Sequence, residues 1–258
     1  MDTIPASWHL DDQNKIVLVD ENEWQYVDTG TRGAAIVLLP GSVGTHEVFF
    51  KQLEALGKQY RVVAATYPAC DAPEQIAASF ARFVEQLNLR GALVVGSSYA
   101  AYWLQIVARA YPRLARGYIL GNGFTNGITV GAHPLFSKKL IAQDADVIQQ
   151  TWREAVARNP GSELRSIQLD MLSGRQPASV LQSRLRAVVA AKDVPAPRQS
   201  AEPITVLDCA DDPIITQEAR DAFVKQFPEA TRITLEHGGH YPHILNPEAY
   251  NEVLRRSA

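Results

Sequence analysis

One serine lies where a strand turns sharply into a helix, in the pentapeptide Gly96-Ser97-Ser98-Tyr99-Ala100. An apolar run at residues 92–95 precedes this turn, and a helical pattern at residues 100–107 follows it. A strand, a sharp turn and a helix in this order lift a serine hydroxyl clear of the sheet edge, as in the G-x-S-x-G nucleophile elbow. Ala100 replaces the last glycine, at a position where a small residue is needed because helix and strand come close together. We therefore predict Ser98 as a nucleophile.

A serine hydroxyl is a weak nucleophile until a base removes its proton, and histidine is the base that works near neutral pH. The chain has six histidines, of which His237, His240 and His243 follow the last predicted strand. His240 comes directly after Gly238-Gly239, in the loop before the final helix. We predict His240 as the general base and assign His237 and His243 to packing or to a solvated loop.

The imidazole must itself be held in one tautomer by a carboxylate. The loop after the strand predicted at residues 204–207 offers three aspartates, of which Asp208 would extend the strand itself. Asp212 precedes Pro213, which fixes the loop before the next helix. We predict Asp212 as the acid of the triad, and Asp211 stays open as the alternative.

Acyl transfer also needs donors for the oxyanion that develops on the attacked carbonyl. One predicted donor is the backbone N–H of Tyr99, at the start of the helix after Ser98. The other is the backbone N–H of Ser42, in the Gly-rich loop at residues 40–44 that follows the strand at residues 36–39. Neither donor depends on its side chain.

A substrate pocket is expected beside these groups, suited to an apolar acyl or alcohol group. Its predicted lining residues are Gly41, Ser42, Val43, Tyr99, Phe124 and cap residues such as Trp152 or Met171. No cofactor is predicted, because neither G-x-x-x-x-G-K-[ST] nor G-x-G-x-x-G precedes a helix. We also predict no metal site from the spacing of the three C-terminal histidines.

Short apolar runs rich in β-branched residues alternate with helical patterns along most of the chain. Such runs are typical of strands buried on both faces of a parallel sheet, and the alternation indicates a doubly wound α/β fold. The first two strands, joined by a polar turn at residues 20–23, are expected to form an antiparallel hairpin. The predicted strands lie at residues 15–19, 24–27, 35–39, 61–65, 92–95, 117–120, 204–207 and 232–235, and helices of the core at 47–56, 73–87, 100–107, 216–227 and 247–254.

The alternation stops between residues 122 and 203. Helical patterns at residues 144–157, 162–172 and 178–189 occur there without a convincing strand. A helical insertion after the sixth strand would lie over the carboxyl ends of the strands, where α/β folds bind ligands. We therefore predict a helical cap at residues 123–203 and an α/β core at residues 1–122 and 204–258.

Length and composition favour a cytoplasmic protein with one such core. The chain has 258 residues, 46% of them hydrophobic, and a net charge of −3. The sequence has no basic patch of the kind that would predict a nucleic-acid partner. None of its apolar runs is long enough to span a membrane. The first residues lack the basic and apolar regions of a signal peptide. The expected partner is a small-molecule acyl substrate, and a homodimer stays open.

Taken together, these residues resemble the α/β-hydrolase fold superfamily over nearly the whole chain. Ser98, Asp212 and His240 follow the superfamily's order of nucleophile, acid and base, and Pro40-Gly41 stands where it often has His-Gly. The resemblance implies an α/β-hydrolase fold, that is, a mostly parallel doubly wound sheet with a helical cap insertion. It also implies a serine hydrolase that cleaves a carboxylic ester or a related acyl substrate.

Within the superfamily the chain is similar to maspardin-like proteins. The likeness lies in residues 38–45 with Val48-Phe49-Phe50, in Arg61-Val62-Val63 with Thr66-Tyr67-Pro68, and in residues 238–242. It implies an alternative, a non-catalytic binding protein that uses the same fold. A further alternative keeps the triad but directs it to C–C bond hydrolysis or lyase chemistry, because a fold does not fix a reaction.

Overall fold

A single mixed sheet forms the centre of the molecule. The computed structural model describes residues 4–131, 133–195 and 202–258, and this part of the chain contains eight strands in one sheet. The strands are β1 (Lys15–Val19), β2 (Asn22–Asp28), β3 (Ala35–Leu39), β4 (Arg61–Thr66), β5 (Ala92–Ser97), β6 (Ala115–Gly121), β7 (Ile204–Cys209) and β8 (Thr231–Leu235). Their spatial order is β1-β2-β4-β3-β5-β6-β7-β8.

In spatial order, the six strands β4, β3, β5, β6, β7 and β8 run parallel to one another. Strand β2 pairs antiparallel with both β1 and β4. All residues of β5 are buried, because helices cover both faces of the sheet. The register pairs Leu38 with Ala64 and Leu39 with Gly96, so β3 lies between β4 and β5. The predicted doubly wound, mostly parallel sheet with a leading antiparallel hairpin is confirmed.

Eleven α-helices occur within the described ranges, and none of them is long and apolar enough to cross a bilayer. A short 3₁₀ turn, His46–Phe49, precedes the first helix. The helices are α1 (Phe50–Leu56), α2 (Pro73–Gln86), α3 (Tyr99–Ala110), α4 (Gly127–Val130), α5 (Lys138–Ile141), α6 (Ala145–Ala157), α7 (Glu163–Asp170), α8 (Ala178–Ala190), α9 (Gln217–Lys225), α10 (Pro242–Leu245) and α11 (Pro247–Ser257).

The direction of the strand order reverses at β3. The connection through α1 leads to β4 on one side of β3, and the connection through α2 leads to β5 on the other side. Right-handed crossovers in opposite directions place their helices on opposite faces of the sheet. Accordingly α2 packs on α3, whereas α1 packs on α11. The carboxyl ends of β3 and β5 therefore flank the crevice in which such folds bind ligands.

Five of the helices, α4 to α8, lie between β6 and β7, where the sequence predicted a cap. Residues 123–131, 133–195, 202 and 203 contain no strand, and residues 196–201, near the predicted end of the cap, lie outside the described ranges. The N-terminal segment contacts this helical region, because Trp8 Nε1 donates to Asp170 Oδ2 at 2.8 Å. Arg175 donates to Asp11, to Asp170 and to the buried Glu47, so it joins the helical region to both the N-terminal segment and the core.

Candidate active site

Ser98 occupies a sharp turn between β5 and α3. β5 ends at Ser97 and α3 begins at Tyr99, so one residue separates the two elements. The Ser98 backbone has φ 52° and ψ −112°, a combination that L-residues rarely adopt, and its N–H donates to Gly121 O at 2.7 Å. Strain of this kind persists only where the surroundings hold it, and it presents the side chain at the top of the sheet.

Gly96 allows α3 to lie directly against β5. A Cβ atom at Gly96 would lie 2.5 Å from Leu104 Cδ1, 2.8 Å from Ala100 C and 2.9 Å from Ala101 N. Ala100 is fully buried in the first turn of the helix. Its methyl group therefore fits where the G-x-S-x-G pattern has its second glycine, whereas no side chain fits at the first.

Asp212 and His240 form a hydrogen-bonded pair beyond the carboxyl ends of β7 and β8. His240 Nδ1 lies 2.9 Å from Asp212 Oδ2. The Asp212 side chain is fully buried and that of His240 is 12% exposed. This pairing leaves Nε2 of His240 as the ring nitrogen that can serve a nucleophile. Ser98 and His240 line one pocket, although no hydrogen bond joins their side chains in the described part of the chain. Such contacts commonly tighten only when a substrate binds.

The environment of Asp212 keeps its carboxylate ionised. Burial would raise its pKa, but the charge and hydrogen bond of His240, with hydrogen bonds from Ile215 and Asn122, lower that pKa to about 2. The backbone N–H groups of Ile214 and Ile215 donate to Oδ1 at 2.7 and 3.0 Å. Asn122 Nδ2 donates to Oδ2 at 2.6 Å. The carboxylate is therefore fixed in one orientation toward the imidazole.

Asp211 makes different contacts from its neighbour. Its carboxylate accepts the backbone N–H of Gly238 at 3.2 Å and that of Gly239 at 2.7 Å. These glycines have φ values of 149° and 54°, which side chains other than hydrogen disfavour. Asp211 thus holds the loop that carries His240, whereas Asp212 contacts the ring itself.

Asn122 also belongs to this cluster, although it was not among the residues predicted from the sequence. It follows β6 with φ 48° and is 1% exposed. Besides its contact with Asp212, its Nδ2 donates to Gly239 O at 3.2 Å. The available signal was an asparagine directly after a buried strand, because Asn adopts positive φ more readily than most residues. Its partners lie 90 and 117 residues further along the chain, so the contacts themselves could not be inferred.

The loop at residues 41–44, after β3, lies directly against Ser98. A Cβ atom at Gly41 would lie 3.1 Å from Ser98 Cβ and 3.7 Å from Ser98 Oγ. Ser42 is buried and lines the same pocket as Ser98. Tyr99 is the first residue of α3, so its backbone N–H lies next to Ser98. The Tyr99 ring packs in the core near Tyr67. Both predicted oxyanion donors are therefore neighbours of the predicted nucleophile.

A pocket with a cavity volume of about 70 Å³ adjoins these residues. In this pocket the structure brings together several of the predicted residues, namely Ser98, His240, Trp152 and residues 41–43 of the loop. Phe136 and Gln168, which were not predicted from the sequence, come from the helical region and also line the pocket. The lining residues are Gly41, Ser42, Val43, Val48, Ser97, Ser98, Phe136, Trp152, Gln168, Ile214, His240, Tyr241 and His243.

Three residues predicted to line the pocket, Tyr99, Phe124 and Met171, do not do so within the described part of the chain. Tyr99 is fully buried, and its ring stacks on that of Tyr102 with centroids 6.2 Å apart. Phe124 is 1% exposed, and its ring stacks on that of Tyr102 with centroids 5.2 Å apart. Met171 is fully buried at the start of the π-helical turn Met171–Arg175. All three side chains are held in the apolar core by their neighbours, which position in the sequence does not reveal.

The other two C-terminal histidines differ sharply in their surroundings. The His237 side chain is 76% exposed, next to Glu236. His243 is 1% exposed, and its ring lies among those of Phe49, Tyr241 and Tyr250. Burial, together with the charge of His240, lowers the pKa of His243 to about 3, so this ring is neutral at physiological pH.

The fold and this strand-turn-helix site define a class of protein. The family model described as "Alpha/beta hydrolase family" matches residues 36–253, which is most of the chain. The chain therefore belongs to the alpha/beta hydrolase family.

Individual proteins are similar to the chain in sequence or in fold. Human maspardin is 25% identical over 248 residues, covering 92% of this chain and 80% of its own length. A putative aryl esterase from Burkholderia cenocepacia has a TM-score of 0.77 and 19% identity, covering 94% of this chain and 97% of its own. A thermophilic esterase from Thermogutta terrifontis has a TM-score of 0.75 and 19% identity, covering 95% and 97%. At this identity the two esterases are similar to the chain in fold.

Proposed function

We propose that this protein is a serine hydrolase that cleaves a carboxylic ester or a related acyl substrate. The observation that carries the proposal is the common pocket of Ser98 and His240, with the His240 ring bonded to the buried Asp212 carboxylate. Nucleophilic acyl transfer requires three parts: a strained serine at the head of a helix, a histidine with a free ring nitrogen, and a fixed anion behind that histidine.

In the proposed reaction Ser98 Oγ forms a bond to the substrate carbonyl carbon while His240 Nε2 takes the hydroxyl proton. The carbonyl oxygen becomes an oxyanion and accepts hydrogen bonds from the N–H groups of Ser42 and Tyr99. The bond to the leaving alcohol then breaks, and the alcohol takes the proton from His240. Water attacks the acyl-enzyme with His240 again as base, which releases the acid and restores Ser98. Asp212 stabilises the imidazolium in both half-reactions.

The size and walls of the pocket favour a short acyl group. A cavity of about 70 Å³ has room for only a few heavy atoms, and Val43, Phe136 and Trp152 give it apolar walls. The helices between β6 and β7 supply Phe136 and Trp152, which supports the proposed role of residues 123–203 as a cap over the site.

A fluorophosphonate probe followed by peptide mass spectrometry tests the nucleophile, with turnover of p-nitrophenyl acetate measured in parallel. We expect one adduct on Ser98, and we expect Ser98→Ala to abolish both labelling and turnover without loss of folding. Ser79→Ala is the matched control, because Ser79 is also buried but lies on α2 outside the pocket lining. Full turnover in Ser98→Ala would show that another group performs the chemistry.

The relationship to maspardin favours one alternative, a non-catalytic binding protein with the same fold. Absence of an adduct on the folded wild-type protein would support that alternative. C–C bond hydrolysis or lyase chemistry by the same triad would instead give a Ser98 adduct without turnover of simple esters, and product analysis with cleavable diketones would identify it.

A further inference from the structure

All four carbonyl groups of the loop at residues 41–44 accept a hydrogen bond from a side chain elsewhere in the molecule. A loop of this length normally leaves several carbonyls to solvent, so four side-chain partners in succession fix it unusually well. The pairs are Tyr67 Oη to Gly41 O at 3.0 Å, Gln176 Nε2 to Ser42 O at 2.7 Å, Tyr241 Oη to Val43 O at 3.0 Å, and Arg184 Nη1 to Gly44 O at 2.7 Å.

Three of these donors line a cavity other than the pocket at Ser98. Tyr67, Gln176 and Arg184 line a second cavity of about 530 Å³, and none of them is among the described residues that line the pocket at Ser98. Gly41 and Ser42, in contrast, line that pocket. Gly41 and Ser42 thus line the pocket at Ser98, while their carbonyls are bonded to side chains that line the second cavity.

The direction of a carbonyl fixes the direction of the next amide group. A trans peptide unit is planar, so its C=O and its N–H point in opposite directions. The described residues contain no cis peptide bond. The hydroxyl of Tyr67 that binds Gly41 O therefore turns the N–H of Ser42 away from the second cavity and toward the pocket. In the same way, Gln176 orients the following peptide unit through Ser42 O.

We propose that Tyr67 is a positioning residue that aims the Ser42 N–H at the oxyanion of the reaction, and that Gln176 supports it by fixing the next peptide unit of the loop. The inference rests on the proposed function, because it gives these two side chains a role only in a protein that stabilises an oxyanion. It makes the helical region between β6 and β7 a part of the catalytic apparatus, since Gln176 comes from that region and not from the core.

Each positioning side chain is itself held firmly. Tyr67 is 1% exposed, and burial raises its pKa to about 12, so the hydroxyl keeps its proton and remains a donor. The Arg184 guanidinium lies over the Tyr67 ring at 3.9 Å and donates to Tyr67 O at 2.6 Å. Gln176 is fully buried, and its Oε1 accepts the N–H of Gly44 at 3.1 Å, so one amide group binds the loop twice.

The test compares wild type, Tyr67→Phe and Tyr102→Phe, using kcat and KM for p-nitrophenyl acetate and the inhibition constant of propylboronic acid. Tyr102 is the matched control, because its hydroxyl also donates to a backbone carbonyl, Lys192 O at 2.7 Å, and it lies outside the pocket lining. Loss of one oxyanion donor costs about 100-fold or more in kcat, so a misaimed donor in Tyr67→Phe should cost about 10-fold or more.

We expect the KM of Tyr67→Phe to stay within about twofold of the wild-type value, because the ground state does not use the donor. The inhibition constant of the boronate should rise by about the same factor as kcat falls. Tyr102→Phe should keep kcat within about twofold. If Tyr67→Phe does not fold, Gln176→Met decides by the same criteria. If the wild type forms the Ser98 adduct but the folded variant keeps an unchanged kcat, the positioning role alone is overturned. A wild type without adduct or turnover overturns the proposed function as well.

Discussion

Asn122 Nδ2 donates at 2.6 Å to the same Asp212 oxygen, Oδ2, that lies 2.9 Å from His240 Nδ1. One carboxylate oxygen thus joins the end of β6 to the loop after β8, while Oδ1 is held by two backbone N–H groups. Asn122 also donates to Gly239 O, in the turn before His240. The acid, the base and the loop that carries the base therefore form one hydrogen-bonded unit.

Replacing Asn122 by alanine should destabilise this unit. A hydrogen bond to a charged group contributes about 1.5–3 kcal/mol, so we expect Asn122→Ala to lower the free energy of unfolding by about 2 kcal/mol and to reduce ester turnover. Urea denaturation and initial-rate measurements check both effects. Asn22→Ala is the control, because the Asn22 amide makes a single exposed contact with Asp20 O, and it should change stability by less than about 0.5 kcal/mol. Equal effects of the two variants would contradict the role assigned to Asn122.

Asp212 should make the fold sensitive to acid. Its pKa is about 2 in the folded state against an ordinary value of 3.8, so the unfolded state binds the proton first. The stabilisation, about 2 kcal/mol from a shift of this size, is complete above about pH 5 and is lost as pH falls through the window from about 4 to 2. The free energies of unfolding of wild type and Asp212→Asn, measured by urea denaturation, should differ less and less as the pH falls through that window. A difference independent of pH below 4 would mean that the Asp212 pKa is not depressed.

His243 should add a second acid dependence, at higher pH. Its pKa is lowered from 6.5 to about 3, so below pH 6.5 the unfolded chain binds a proton that the folded chain does not. Stability is therefore lost as pH falls from about 6.5 toward 3, by up to about 1.4 kcal/mol for each pH unit. We expect His243→Phe to flatten the pH dependence of the melting temperature in this window. His237→Phe, at an exposed position, is the control variant.

Gly96 should not tolerate a side chain. A Cβ atom there meets backbone atoms of Ala100 and Ala101 at 2.8 and 2.9 Å, so β5 and α3 would have to separate. We expect Gly96→Ala to cost about 1–3 kcal/mol in the free energy of unfolding. Ala100→Gly, which restores the G-x-S-x-G pattern, is the informative counterpart and should cost about 0.5–1 kcal/mol through helix propensity. Chemical denaturation of both variants tests the claim, and a neutral Gly96→Ala would refute it.

The positions of strands and helices could be read from the sequence because they depend on local patterns. The apolar run before Ser98 and the helical pattern after it predict β5 and α3, and the structure has them at Ala92–Ser97 and Tyr99–Ala110. The family pattern likewise brought Ser98, Asp212 and His240 together as candidates. Chain order and residue type were sufficient for these predictions.

Only the tertiary structure decided which side chains face the site. Phe124 and Trp152 looked equally suitable, yet one stacks on Tyr102 in the core and the other lines the pocket. Asn122, Tyr67 and Gln176 gave no local signal for their contacts, because each acts on atoms 26 to 134 residues away in the chain. Periodicity and propensity report on neighbours a few residues apart, whereas a packed core and a buried hydrogen-bond network are set by which distant surfaces meet.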